Sequence, residues 1–215
     1  MVKIACVGDS LTYGHLVEDR EINCYPALLN ELLGNEYVVG NFGANGYTML
    51  KTGDHPYWDH ENFRFSGMIH PDIVIIMLGT NDSKPHNFTS MEDFISTYEE
   101  MIAHYRGLAS KPHVYIATPP TVFPPESTDM STIRGEIVNQ MAEAIRELGK
   151  KLRVSVVDVG KETLDRPECF TADGVHTNKN GAMLIANVIF RELSSRRVFK
   201  KLQRRESVVV SSNNC

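Results

Sequence analysis

Five short stretches of this chain, at 2–7, 37–42, 73–78, 113–118 and 154–159, read as strands, and most are nearly continuous apolar runs. The third reads I-V-I-I-M-L, with no polar residue to face water. A strand with one wet face alternates polar and apolar side chains, so runs like these belong to strands covered on both sides. Strands of that kind form parallel sheets, whose neighbours need long crossover connections. The intervening sequence supplies them. Segments 25–33, 91–108, 131–152 and 180–193 read as helices. In 131–152 the apolar stripe is Ile133, Ile137, Met141, Ala144, Ile145 and Leu148, which repeats at helical spacing. Ser90 stands as N-cap of the second helix, with Asp93 as its capping-box partner. This alternation predicts a three-layer α/β/α sandwich around a five-stranded parallel sheet.

Hydrophobic residues make up 42% and charged residues 23% of the 215. That is the balance of a globular domain and excludes a disordered, collagen-like or coiled-coil chain. No apolar run approaches the ~18 residues of a membrane span. The charge is uneven. Residues 1–195 hold 16 of the 22 basic and 26 of the 27 acidic side chains, whereas 196–215 hold the other six basic residues and Glu206. We expect one domain over 1–195 and a basic amphipathic tail over 196–215. The tail reads as a last helix that frays into a disordered end, with a membrane-surface or partner role as the alternative. The acidic body argues against nucleic acid as a partner. Cys6, Cys24, Cys169 and Cys215 are too sparse for a disulfide framework, and without a C-x-x-C a structural zinc site is not expected. No export leader opens the chain, which favours the cytoplasm unless one has been removed. Nothing in the sequence sets an oligomeric state.

In an open α/β sheet, ligands bind beyond the carboxyl ends of the strands. The segments that follow the strands therefore hold the candidate chemistry. After the first comes Gly8-Asp9-Ser10-Leu11. A serine on a strand-to-helix turn can project its hydroxyl into the cleft as a nucleophile, or simply cap the helix. After the second comes Asn41-Phe42-Gly43-Ala44-Asn45-Gly46, whose glycines let backbone N–H groups face a ligand or merely form a turn. After the third comes Gly79-Thr80-Asn81-Asp82, where the Asn81 amide is a donor or the start of an Asx-turn. Asp173-Gly174-Val175-His176 precedes the last helix. A carboxylate there can fix the imidazole's tautomer and support its charge.

Each block alone is weak, but nucleophile, donors and base together meet the requirements of acyl transfer at one cleft. The blocks G-D-S-L (8–11), N-x-G-x-x-G (41–46), G-x-N-D (79–82) and D-x-x-H (173–176) resemble, in order and spacing, those of the SGNH hydrolase superfamily, the GDSL-type esterases and lipases. The resemblance runs from residue 4 to about 190 with no block broken. It implies a flavodoxin-like SGNH topology and a serine esterase with no cofactor and no metal. It also implies Ser10 as nucleophile, His176 as base and Asp173 as the group that orients it. The oxyanion would be held by the N–H groups of Ser10 and Gly46 and the side-chain amide of Asn81. Gly46 is preferred to Gly43 because the family's donor is the second glycine of the block. The stretches G-T-N-D-S-K-P and K-x-G-D-x-P-Y-W are also similar to carbohydrate or sialate O-acetylesterase members.

The loops after the middle strands, including 54–60 and 83–88, are aromatic, proline-rich and polar. They suit a small-molecule or carbohydrate ester with a short acyl group better than a greasy chain, which would want an apolar channel. Tyr57, Trp58, Asn45 and Asp82 are the expected rim of the cleft. The alternatives are a lipase, lysophospholipase or thioesterase with the same triad, or a non-catalytic sugar- or cofactor-binding domain on the same fold. His55 and His60 lack a partner set with metal-ligand spacing.

Overall fold

The computed structural model describes residues 1–125 and 132–195. The chain runs β1 (Val2–Gly8), α1 (Ser10–Tyr13), α2 (Arg20–Asn23), α3 (Tyr25–Leu33), β2 (Tyr37–Gly43), α4 (Glu61–Met68) and β3 (Ile73–Met77). It continues through α5 (Met91–Gly107), β4 (His113–Ala117), α6 (Gly135–Leu152), β5 (Ser155–Val157), α7 (Val159–Thr163) and α8 (Lys179–Ser195). The strands form one five-stranded sheet, all parallel, in the order β2-β1-β3-β4-β5.

The period-2 geometry of a strand divides the apolar runs between two cores. Ile4, Cys6, Ile73, Ile75 and Met77 pack with Tyr25, Leu28 and Leu29 of α3 and Ile185, Ala186 and Ile189 of α8. Ala5, Val7, Val74, Ile76 and Leu78 face the other way, onto Phe94, Tyr98 and Met101 of α5 and Met141, Ile145 and Leu148 of α6. Every residue of β3 is buried, as a run with no polar side chain requires. The two helical layers and the sheet between them are the expected sandwich.

The topology also fixes where a cleft can form. After β1 the chain places β2 on one side and β3 on the other, so crossovers leave β1 in opposite directions. A crevice opens at such a switch point, beyond the carboxyl ends of the strands. Gly8, the last residue of β1, lies level with Gly43 of β2 and Met77 of β3.

The expected elements are present with altered ends. The helix expected from 131 begins at Gly135, and residue 131 lies outside the described residues. The fifth strand stops at Val157 because Asp158 turns to cap α7, accepting the Lys161 N–H. Helices α1, α2, α4 and α7, of four, four, eight and five residues, are too short to display a period in the sequence. The 196–215 tail lies outside the described residues. No described helix is long and apolar enough to cross a membrane. Cys6, Cys24 and Cys169 are buried free thiols.

Two glycines give opposite expectations. A Cβ on Gly43 would run into the backbone of Tyr13, so Gly43→Ala should destabilise by at least ~2 kcal/mol, as overpacking does. A Cβ on Gly107, at the end of α5, would meet nothing within 4 Å. Gly107→Ala should stabilise by ~0.4–1 kcal/mol, by reducing the freedom of the unfolded chain. Urea unfolding of both variants checks the pair, and equal effects would contradict the packing described.

Candidate active site

The turn after β1 is built by Asp9. Its Oδ1 accepts the Leu11 N–H at 2.9 Å and caps α1. Gly8 must lack a side chain, because a Cβ there would lie 2.6 Å from the Met77 carbonyl oxygen. Ser10 is therefore presented at the first residue of a helix, directly above the switch point, and is 7% exposed.

The fourth block folds around one carboxylate. Asp173 Oδ1 accepts the Thr171 hydroxyl at 2.8 Å and the N–H groups of Val175 and His176 at 2.9 Å each. Its Oδ2 lies 2.6 Å from His176 Nδ1. Gly174 supplies the left-handed φ of 68° that closes the turn, and its carbonyl accepts the Phe123 N–H at 2.7 Å. Burial opposes ionisation of Asp173, yet the His176 contact and the two N–H donors hold its carboxyl down at about 2. A charged carboxylate keeps a proton on Nδ1 and leaves Nε2 as the acceptor. That Nε2 lies 2.9 Å from Ser10 Oγ, across 166 residues of chain. The arrangement can take the serine proton as the oxygen attacks and return it to a leaving group.

Donors gather on the same side. Ser10, Gly46, Asn81 and His176 line one cleft of about 240 Å³ together with His15, Asn45, Thr80, Lys84, Ile133 and Val175. Asn81 Nδ2 donates one hydrogen to the Tyr47 carbonyl at 3.1 Å, which fixes the amide and leaves the second N–H unspent by that bond. Gly46 has φ 84°, a backbone that a side chain would strain. N–H groups held in this way can stabilise an oxyanion without reorganising.

The expected rim divides. Asn45 is exposed and lines the cleft. Tyr57, Trp58 and Asp82 do not line it. Tyr57 is fully buried and its hydroxyl donates to the Phe42 carbonyl at 2.6 Å. Trp58 donates from Nε1 to the Met49 carbonyl at 2.9 Å and packs on Phe63, with the Lys51 ammonium over its ring. Their aromatic faces hold the 44–58 loop to the domain and form no platform for a sugar. Asp82 is fully buried and receives the N–H groups of Met49 and Leu50 at 2.9 and 2.7 Å. It is the clamp that ties the loop carrying Gly46 to the turn carrying Asn81. His15 was missed. Its ring meets that of His176 edge-on at 4.7 Å, and its place five residues after Ser10 was the available signal. Lys84 and Ile133 were also missed. Among the described residues no group of three or more His, Cys, Asp or Glu side chains could hold a metal ion.

Residues 6–184 match the profile of the GDSL-like lipase/acylhydrolase family. The chain belongs to this family. It is 31% identical over 206 residues to an acetylxylan esterase of Xylanibacter ruminicola, spanning 87% of this chain and 42% of that protein. A GDSL esterase/lipase of Arabidopsis thaliana is 25% identical over 149 residues, 62% of this chain and 47% of the relative. The chain thus spans under half the length of these curated relatives. The same fold is seen in an aryl esterase of M. smegmatis (TM-score 0.75, 20% identity, 91% of this chain and 99% of that one). A carbohydrate acetylesterase family member of Sinorhizobium meliloti shares it too (TM-score 0.70, 23% identity, 89% and 96%).

Within the family fold, two buried acids carry a stability cost. Burial pushes the Asp9 carboxyl up to about 7, against the Leu11 N–H and with some help from Asp82. Burial likewise raises Asp82 to about 6, against the N–H groups of Leu50 and Met49. An unfolded aspartate titrates near ~3.9. Between about pH 4 and 7 the unfolded chain sheds the Asp9 proton while the fold retains it, so Asp9 increasingly favours unfolding across that window. Asp9→Asn keeps an acceptor for Leu11 and removes the titration. Its stability relative to wild type, measured by urea unfolding, should therefore rise from pH 4 to pH 7. Parallel stability curves would show that Asp9 does not titrate in this way.

Proposed function

We propose that the protein is a serine esterase that removes short acyl groups, acetyl foremost, from a carbohydrate ester. The reading is carried by the relay Asp173–His176–Ser10, at 2.6 and 2.9 Å, which opens onto the cleft shared by Gly46 and Asn81. Ser10 Oγ attacks the ester carbonyl while His176 Nε2 takes its proton. The carbonyl oxygen becomes an anion facing the N–H groups of Ser10, Gly46 and Asn81. Collapse expels the alcohol, which receives the proton from His176, and leaves the acyl group on Ser10. Water then attacks through the same base, releasing the acid and free Ser10. Asp173 stays ionised throughout, as its low pKa requires.

The short acyl group follows from size and polarity. A cleft of about 240 Å³ bordered by Asn45, Thr80, Asn81 and Lys84 lies below the usual range of ligand pockets, and among the described residues its apolar side chains are Ile133 and Val175 alone, too few to line a long channel. The carbohydrate part is supported by the acetylxylan esterase named above. It does not depend on aromatic stacking by Tyr57 or Trp58.

Hydrolysis of p-nitrophenyl esters from acetate to palmitate tests the reading. kcat/KM should peak at acetyl and fall by about six carbons, because a small pocket rejects added bulk. Ser10→Ala should lose at least ~10³-fold in kcat. Faster cleavage of octanoyl or palmitoyl esters would make the protein a lipase with the same triad, and a Ser10→Ala variant near wild-type activity would remove Ser10 from the chemistry. Asn81→Ala should lower kcat by ~10²–10³-fold with a smaller change in KM, since the anion it meets exists only in the transition state. A pure KM effect would make Asn81 a ground-state contact.

A further inference from the structure

The cleft has a fixed positive charge that the chemistry above does not use. Lys84 is the one lysine or arginine among the described residues that lines it, and no aspartate or glutamate does. Lys84 ends the 3₁₀ turn Asn81–Ser83. Its N–H donates to the Asn81 carbonyl at 3.3 Å, and its own carbonyl accepts the N–H groups of Asn87 and Phe88 at 3.0 Å. The residue is thereby anchored three positions from the proposed oxyanion amide. Its ammonium makes no ion pair or hydrogen bond among the described residues.

The two acids that feel this charge are engaged elsewhere. Asp54 feels the Lys84 charge, but its carboxylate is held by Asn87 Nδ2 and His86 Nε2 at 2.9 and 3.1 Å. Asp9 feels it too, sealed under α1 at 1% exposure. A second cation flanks the same turn. Arg134 donates from Nε to the Ser83 carbonyl at 2.6 Å, and its backbone N–H meets the Ser83 hydroxyl at 3.2 Å. Its Nη2 is buried without an acceptor. The other basic group in the cleft, His15, is held below its ordinary pKa by burial and then by His176, so it adds little standing charge. Apart from the relay carboxylate Asp173, which is committed to His176, the standing charge of the cleft is thus that of Lys84, in a domain whose residues 1–195 carry 26 acidic against 16 basic side chains.

We propose that Lys84 selects esters whose alcohol part carries a carboxylate, so that the substrate is an acetylated uronic acid rather than a neutral sugar. This rests on the esterase reading above: an acetyl group has no room for a charge, so the anion must belong to the alcohol. A lysine at the mouth attracts that anion as a point charge on a flexible stem, which tolerates variation in the sugar.

The test compares two substrates that differ by one charge, the methyl glycoside of an O-acetylated hexuronic acid and its uronate methyl ester. Acetate release is followed for wild type, Lys84→Gln and Lys84→Glu at low and high salt. The quantity read is the ratio of kcat/KM for the acid over the methyl ester. It should fall about tenfold in Lys84→Gln and further in Lys84→Glu, and high salt should lower it in wild type but not in Lys84→Gln, because the half-buried Lys84 is still partly screened. An unchanged ratio in all three proteins overturns the proposal. Calorimetric binding of both compounds to Ser10→Ala, with and without Lys84→Gln, separates this from the esterase reading. If wild type cleaves neither compound, hydrolysis of these sugars falls while the binding ratio still decides the role of Lys84. If Lys84→Gln leaves the binding ratio unchanged, the Lys84 proposal falls and the esterase reading stands.

Discussion

The pairing of β1 between β2 and β3 is the constraint on which the rest of the molecule depends. It places Gly8 level with Gly43 and Met77, so the three segments that follow these strands emerge side by side. Ser10, Gly46 and Asn81 then meet without long loops or any reach across the domain. The right-handed crossovers that parallel pairing demands supply the helical layers, and their reversal at β1 leaves the crevice open. Only His176 is brought from afar, and its loop is internally braced by the four donors that surround Asp173.

Much of this was legible because two kinds of signal coincide. Apolar runs without alternation mark strands covered on both faces, and the residues after them are those a parallel sheet delivers to one edge. What failed did so for a physical reason. Trp58 and Tyr57 look like a binding platform in a row of polar and proline residues, but loops of that length need their own anchors. An aromatic ring with a hydrogen-bonding end serves well there: Trp58 binds the Met49 carbonyl and Tyr57 the Phe42 carbonyl. Asp82 follows Asn81 in the motif and so appeared to share its exposure. A reversal of one residue in a 3₁₀ turn sends neighbouring side chains to different surroundings, and Asp82 points into protein. Lys84 and His15 stand close in sequence to Asn81 and Ser10, but nothing in their residue type marks them as cleft residues, and it is the folded arrangement that puts them there.

The same site shows how a precise geometry is maintained at a cost. Two carboxylates, Asp9 and Asp82, are sealed from water with burial raising both. Each holds backbone N–H groups that shape the cleft, Asp9 the one of Leu11 in the serine turn and Asp82 the two of Met49 and Leu50 in the neighbouring loop. An amide would be cheaper to bury but would offer Met49 and Leu50 one acceptor oxygen in place of the two that Asp82 supplies. The cleft gains fixed donors, since loops clamped in this way need not rearrange when charge develops. Each of these acids is also adjacent in sequence to a residue of the cleft, Asp9 to Ser10 and Asp82 to Asn81.

The central position of β1 has a consequence for how the chain is made. Of the five strands, the one that leaves the ribosome first is the one that needs neighbours on both sides, and those neighbours begin at Tyr37 and Ile73. Until they emerge, its N–H and C=O groups on two edges are unpaired, a template for stray pairing. Ser10 follows this strand closely, yet its basic partner arrives 166 residues later. Until the 173–176 loop has folded into place, a nascent chain carries Ser10 without the imidazole that lies 2.9 Å from it in the fold.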